Sequence, residues 1–279
     1  MTLGAARTRE LLERHAIRPS KSLGQNFVID PNTVRKIVRL AGVGPDDRVL
    51  EIGPGAGSLT LELARAARAV VAVETDSGLF PVLEETLAGV SNVEVIAGDA
   101  MQVDLGSFGA NRLVANLPYN IAAPLVVRSL QDAPGLADLT VMAQKEVGER
   151  LAAPVGSKVY GQVSVIVAFF AEAKVLMQVS RQAFYPVPNV DSVVVRITRR
   201  EPPTEVDRTL LFEVVRTAFS QRRKTLRNSL GLAAGSPEAA EKVLTEAGVG
   251  PGERPERVDL GEFVRVARAL ERHRLHQPG

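Results

Sequence analysis

The sequence predicts an α/β chain: an open parallel sheet with helices on both faces, then a small all-helical domain. Three observations carry this. Short apolar runs alternate with helical segments between Arg48 and Ala143, the pattern of a parallel sheet joined by crossover helices. A glycine-rich turn, Glu51-Ile52-Gly53-Pro54-Gly55-Ala56-Gly57, joins the first run to its helix. Beyond Glu201-Pro202-Pro203, which reads as a linker, every segment is helical in period.

In chain order, Thr8 to His15 reads as a short charged helix. Asp30-Pro31 reads as a cap with proline at the first helical position, and Gly42 as the stop. Arg48 to Ile52 is a strand, the glycine turn follows, and Ser58 to Arg68 is a helix. Ala69 to Val73 is a second strand, closed by Glu74, and Asp76 caps the next helix. Val93 to Ala97 is a third strand, ending at Gly98-Asp99. Arg112 to Ala115 is a fourth, Ile121 to Leu130 a helix, and Leu139 to Ala143 a fifth strand. After Lys145 the pattern changes. Glu146 to Ala152 and Val163 to Phe170 read as helices, while Lys174 to Val179 and Ser192 to Thr198 read as strands forming a hairpin-like antiparallel edge. The tail predicts helices over Val206 to Phe219, Arg223 to Leu230, Pro237 to Ala247 and Leu260 to His273. The expected domains are 1–200 and 201–279.

Composition narrows the chemistry. There is no cysteine, which excludes disulfides, thiolate nucleophiles and the cysteine adduct that pyrimidine C5-methylation needs. The three histidines lie near the termini, so no metal site is expected. The absence of cysteine and of an apolar leader within Met1 to Ser20 fits a cytoplasmic protein. Val163 to Phe170 is too short to cross a membrane. With no long apolar face in view, a monomer is expected. Net charge is only +2 although the pI is near 9.0, so local charge matters more than the total. Val214 to Pro237 contains no acid while Arg216, Arg222, Arg223, Lys224 and Arg227 cluster, and the first forty residues are also biased to arginine. Such patches suit a nucleic-acid backbone, although a lone charge run is usually a solvated helix face. Phe212 and Phe219 are read as core.

Ligands of an open parallel sheet bind beyond the carboxyl ends of its strands. Gly53, Gly55 and Gly57 permit a sharp turn and close approach there. Glu74 is placed to accept from ribose hydroxyls, and Asp99 from an adenine amino group. Each alone is unremarkable as a turn or cap; in sequence on successive strand ends they favour a bound nucleoside. The G-x-G-x-G spacing is not that of dinucleotide binders and there is no Walker lysine, so the cofactor is read as S-adenosylmethionine. Asn116-Leu117-Pro118-Tyr119 closes the fourth strand. The nitrogen of an exocyclic amine is a poor nucleophile because its lone pair is delocalised. The Asn116 oxygen and Pro118 carbonyl can accept its two N–H bonds and favour a pyramidal, attacking nitrogen. Tyr119 offers a stacking face.

These motifs in this order resemble the ribosomal RNA adenine N6-dimethyltransferase family, and the likeness covers nearly the whole chain. Ser22-Leu23-Gly24-Gln25-Asn26-Phe27 is similar to the segment that closes over the cofactor, which implies contacts from Asn26 and Val28. Val28 stands where leucine is commoner. Gly53, Gly55, Glu74, Asp99, Ala100 and Asn116 fall on the family's cofactor motifs, and Gln144-Lys145-Glu146-Val147 follows the fifth strand as the family's pattern does. Phe184 to Ser192 matches its F-x-P-x-P-x-V-x-S motif, which implies that Phe184 stacks on the second face of the target adenine. The resemblance implies a Rossmann-like methyltransferase sheet with a cofactor-closing N-terminal segment, and a helical RNA-binding domain; the basic cluster offers Arg222, Arg223, Lys224 and Arg227 as RNA contacts. The helical tail and Phe219 to Leu226 resemble the small-subunit branch. That branch implies dimethylation of two adjacent adenosines near the 3′ end of 16S rRNA, in the small subunit or its precursor, with a part in subunit biogenesis. The alternatives are a 23S rRNA methylase of the antibiotic-resistance type, a non-catalytic assembly or transcription factor, and a DNA adenine methylase; Leu117 and the helical tail disfavour the last.

Overall fold

The computed structural model describes residues 2–20, 24–203, 206–221 and 223–276. Ser22, Leu23 and Arg222, all named above, therefore lie outside the described residues, as does Lys21. Nine strands are described: β1 Phe27–Val28, β2 Arg48–Ile52, β3 Ala69–Glu74, β4 Val93–Ala97, β5 Arg112–Asn116, β6 Asp138–Gln144, β7 Ala171–Val179, β8 Phe184–Tyr185 and β9 Ser192–Arg199. The helices are α1 Ala5–Arg14, α2 Pro31–Ala41, α3 Ser58–Ala66, α4 Phe80–Thr86, α5 Ala122–Asp132, α6 Lys145–Leu151, α7 Gln162–Phe170, α8 Arg208–Ser220, α9 Leu226–Ala234, α10 Pro237–Glu246 and α11 Leu260–Leu275. None is long and apolar enough to cross a membrane.

By its contacts the chain divides into two units. One runs to Glu149 and resumes over Glu172–Arg199; the other holds Arg150–Ala171 and Arg200 onward. The first contains the main sheet, ordered β4-β3-β2-β5-β6-β9-β7. Pairing is parallel from β4 through β6, and β9 runs antiparallel to β6. The expected hairpin-like edge is thus a strand inserted beside β6 with β7 outside it. Local chemistry sets the helices. In α2, Asp30 accepts from the Asn32 and Thr33 amides, Pro31 opens the helix, and Gly42 ends it in the left-handed region. Val34, Ile37, Val38 and Ala41 then recur on one buried face, and they pack in a cluster with Val49, Val70, Val114 and Met142 of the sheet.

The second unit corrects the expected boundary. Residues 150–171, assigned from sequence to the 1–200 domain, group with the helical tail. The reason is aromatic burial. Phe169 and Phe170 meet Phe212 edge-on at ring distances of 5.3 and 5.9 Å, and Tyr160 meets Phe219 at 6.1 Å. The Tyr160 hydroxyl donates to the Val258 carbonyl at 3.0 Å. Phe219 also lies 6.0 Å from Phe263 and is a core residue, while Phe212 is partly buried against Phe169 and Phe170. The helix expected from Arg223 begins at Leu226.

Candidate functional site

The carboxyl ends of β2, β3 and β5 open on one cleft in the first unit. Gly53, Gly55 and Ile52 line it from the first turn, Glu74 from β3, and Asn116, Pro118 and Tyr119 from β5. Asp99 and Ala100 follow β4, and Asn26 and Val28 come from the N-terminal segment; all four also line it. Gly55 has φ +58, and a Cβ there would meet the Phe27 ring at 2.8 Å. Bare backbone at this point lets the β1 segment close against the turn. Gly24 has φ +65 and a Cβ there would meet the Tyr119 amide nitrogen at 3.2 Å, so the same segment also rests on the Asn116–Tyr119 loop. Gln25 anchors it, donating to Asp76 Oδ2 at 2.6 Å.

Three carboxylates face this cleft with different duties. Glu74 Oε1 accepts from the Thr75 and Asp76 amides at 2.9 Å each, and Oε2 accepts from the Gly55 amide at 3.2 Å. Burial raises its pKa against these three donors, and one acceptor position of the carboxylate stays open to a ligand hydroxyl. Asp99 takes the Met101 amide at 2.8 Å and the Gln102 side chain at 2.9 Å. Glu51 is buried, and burial pushes its carboxyl up to about 8, with the Glu74 carboxylate adding to the effect. The nearby Thr60 hydroxyl opposes this, but among the described residues Thr60 Oγ1 and Glu51 Oε2 each lack a hydrogen-bond partner, so burial dominates. A buried carboxyl oxygen without a protein partner, lining a ligand cleft, is free to accept a donor from a ligand. The ammonium group of S-adenosylmethionine is such a donor, and the glycine turn leaves room for its backbone-close approach. The residues present therefore fit that cofactor.

The Asn116 amide is oriented unambiguously. Its Nδ2 donates to the Asn26 carbonyl at 3.0 Å, and a carbonyl can only accept. Oδ1 is therefore an acceptor with no partner among the described residues. The Pro118 carbonyl accepts the Ile121 amide at 3.2 Å and keeps its second lone pair. Tyr119 is half-buried and its hydroxyl meets Ser192 Oγ at 2.8 Å. Burial raises its pKa, with the Ser192 bond opposing and the Asp191 charge adding, so the ring is a neutral phenol.

Phe184 is a correction. It is 1 % exposed and packs with Val28, Val34, Ile37 and Val194. The antiparallel register Val28↔Phe184 and Phe27↔Tyr185 turns its ring into the core, so it offers no face to a base. The basic patches are also reduced. Arg227 is tied to Glu241 at 2.8 Å and Glu238 at 2.9 Å. Arg7 and Arg14 clasp Glu10 and Glu85, and His15 meets Glu85 at 2.9 Å. Arg223 and Lys224 are exposed and carry no ion pair among the described residues. Sequence reasoning missed Ser192 as a partner of Tyr119; its place at the end of the Phe184–Ser192 motif was the available signal. It also missed Glu51 as a titrating group, which only burial reveals.

The chain is similar to known proteins over most of its length. A family model described as ribosomal RNA adenine dimethylase matches residues 17–272. A protein of Rhodococcus opacus named ribosomal RNA small subunit methyltransferase A is 48% identical over 95% of this chain and 93% of its own. A Geobacillus kaustophilus protein of the same name is 44% identical over 95% of both. Among solved structures, a dimethyladenosine transferase from Plasmodium falciparum superposes with a TM-score of 0.76 at 26% identity, covering 88% of this chain and 97% of that one. A 23S rRNA methyltransferase, ErmE, superposes at 0.68 with 30% identity, over 88% and 100%.

Proposed function

The chain belongs to the ribosomal RNA adenine dimethylase family, and on that premise we propose which RNA it modifies and which residues do the work. It is an enzyme that dimethylates adenine in ribosomal RNA with S-adenosylmethionine as methyl donor. The proposed substrate is small-subunit rRNA, with two adjacent adenosines near the 3′ end of 16S rRNA as targets, met in the 30S subunit or its precursor. The relatives named for the small subunit, at 44% and 48% identity, support this over the large-subunit alternative. A role in subunit biogenesis follows from binding such a particle. The protein is proposed to act as a monomer in the cytoplasm; its exposed large apolar side chains, among them Val155, Leu232 and Leu275, are scattered along the chain.

When bound, the cofactor supplies a methyl group activated on a sulfonium. Glu74 would accept from its ribose hydroxyls, Asp99 from its adenine amine and Glu51 from its ammonium, with Asn26, Val28, Gly53, Gly55 and Ala100 shaping the walls. Asn116 Oδ1 would accept one hydrogen of the target amine and the Pro118 carbonyl the other, which localises the nitrogen lone pair. Tyr119 would stack on the base and exclude water. As the nitrogen would bond to the methyl carbon, the methyl–sulfur bond would break and leave its electron pair on a neutral thioether, while the amine proton, acidified by the developing positive charge, would pass to water. No strong base is required. Arg223 and Lys224 would contact the RNA backbone.

The observation that carries this reading is the Asn116 amide, whose nitrogen is committed to Asn26 at 3.0 Å and whose oxygen is thereby left to accept. The test is labelled methyl transfer to small and large subunits lacking the modification, with mass analysis of the nucleosides. N6,N6-dimethyladenosine in the small-subunit RNA is expected. Label confined to large subunits, or none in either, would overturn it.

A further inference from the structure

We propose that Ser192 is a positioning residue: its buried hydroxyl pins the Tyr119 ring and so preserves the room needed for the second methyl transfer to the same nitrogen. This deepens the reading above and rests on it. The tether is one hydrogen bond of 2.8 Å between the two side-chain oxygens. Ser192 is fully buried, while the Tyr119 ring lines the cleft.

Both ends of the tether are anchored to one strand. Ser192 opens β9 and sits opposite Gln144 of β6. Its neighbour Asp191 accepts the Lys145 amide at 3.0 Å. On the other side, Asn116 pairs with Met142 of β6, and the Leu117 amide donates to the Met142 carbonyl at 3.0 Å. Asn116 and the Tyr119 hydroxyl are thus referenced to the same backbone by a closed set of hydrogen bonds. A phenol without that partner would keep its place in sequence but lose its fixed tilt. Strand pairing alone does not call for a hydroxyl here, because the bond points away from the ladder to a loop.

The second transfer is the more demanding step. An unmethylated amine offers two hydrogens to two acceptors, whereas the monomethyl amine offers one and carries a methyl group that must fit beside the ring. A ring held at one tilt keeps that space; a ring free to swing fills it part of the time. The first transfer tolerates this because two hydrogen bonds hold the amine, and the second does not.

The experiment is single-turnover methylation of small subunits by wild type, Ser192→Ala, Tyr119→Phe, the double variant and Ser192→Thr, reading the ratio of mono- to dimethyladenosine, with cofactor affinity measured by calorimetry. Both single variants should raise the monomethyl fraction at least several-fold. The double variant should be no worse than either alone, since both remove one bond. Ser192→Thr should restore the wild-type ratio, and cofactor affinity should stay within about twofold. An unchanged ratio in the single variants, or effects that multiply in the double, overturns the proposal. If Ser192→Ala does not fold, Tyr119→Phe removes the same bond from the cleft side and decides alone. Wild-type protein that fails to methylate the subunit refutes the substrate reading; a wild type that works beside variants with its own product ratio refutes only the role of Ser192.

Discussion

Glu51 predicts a pH-dependent stability that one isosteric change removes. Its carboxyl has an ordinary value of 4.5 and burial raises it to about 8 in the folded protein. The folded state therefore holds a proton that the unfolded state has released between those values. By linkage this contribution favours the fold fully below about 4.5, is lost progressively as pH rises, and levels off above about 8. At 1.36 kcal/mol per pH unit the whole window corresponds to about 5 kcal/mol, and most of it is spent by pH 7. Glu51→Gln keeps the shape and cannot ionise. Urea unfolding of both proteins, followed by circular dichroism at pH 5, 7 and 9, gives the difference in stability at each pH. The two should be within about 1 kcal/mol at pH 5, and the variant should be more stable by roughly 3–5 kcal/mol at pH 9. A difference that does not change with pH would show that Glu51 titrates normally, through water reaching its Oε2, and the argument from burial would fall.

Asn116→Ala should raise the barrier to methyl transfer by roughly 2–4 kcal/mol, by analogy with loss of one oxyanion-hole donor; near-normal single-turnover rates would remove its role as acceptor. Gly55→Ala would place a Cβ 2.8 Å from the Phe27 ring at φ +58, so a loss of roughly 1–3 kcal/mol in stability should accompany weaker cofactor binding, read by thermal melts and calorimetry; an unchanged cofactor affinity would show that β1 does not close the cleft. Replacing Arg223 and Lys224 by alanine should each lower the salt slope of subunit binding by about 1, while Arg227→Ala should change it less, because Glu238 and Glu241 already hold that guanidinium; equal slopes for all three would mean the ion pairs open on binding.

The parts of the site that were legible in the sequence are those that local chain chemistry decides. Gly53, Glu74, Asp99 and Asn116 each follow a short apolar run, and a parallel sheet carries all such strand ends to one edge. The strands β2 to β6 were legible for the same reason, since each apolar run is bounded by polar, glycine or proline residues. What was not legible depended on partners distant in the chain. Phe184 stands in a motif that suggests a base-stacking face, yet pairing of Phe184–Tyr185 with Phe27–Val28 turns it into the core. Apolar α7 reads equally well as part of either unit until Phe212 is seen against Phe169 and Phe170. The arginine excess near the N-terminus read as a nucleic-acid surface, but Arg7 and Arg14 are spent on Glu10 and Glu85. Charge counted along a sequence does not reveal which charges are already paired.

The two acceptors of Asn116-Leu117-Pro118-Tyr119 are unequal, and that inequality bears on how one site performs two transfers. Among the described residues Asn116 Oδ1 accepts nothing, whereas the Pro118 carbonyl already takes the Ile121 amide at 3.2 Å. An amine with two hydrogens would use both. A monomethyl amine has one, and a hydrogen bond to the uncommitted oxygen is the stronger choice, because the Pro118 carbonyl already shares its lone pairs with the Ile121 amide. The remaining N–H would therefore turn to Asn116, and the first methyl group would turn to the Pro118 side. Tyr119 is the next residue in that loop, and its ring is the wall whose tilt Ser192 fixes at 2.8 Å. The polar end of the motif would thus hold the amine in both rounds, while the tethered aromatic end would keep open the space into which the first product methyl moves.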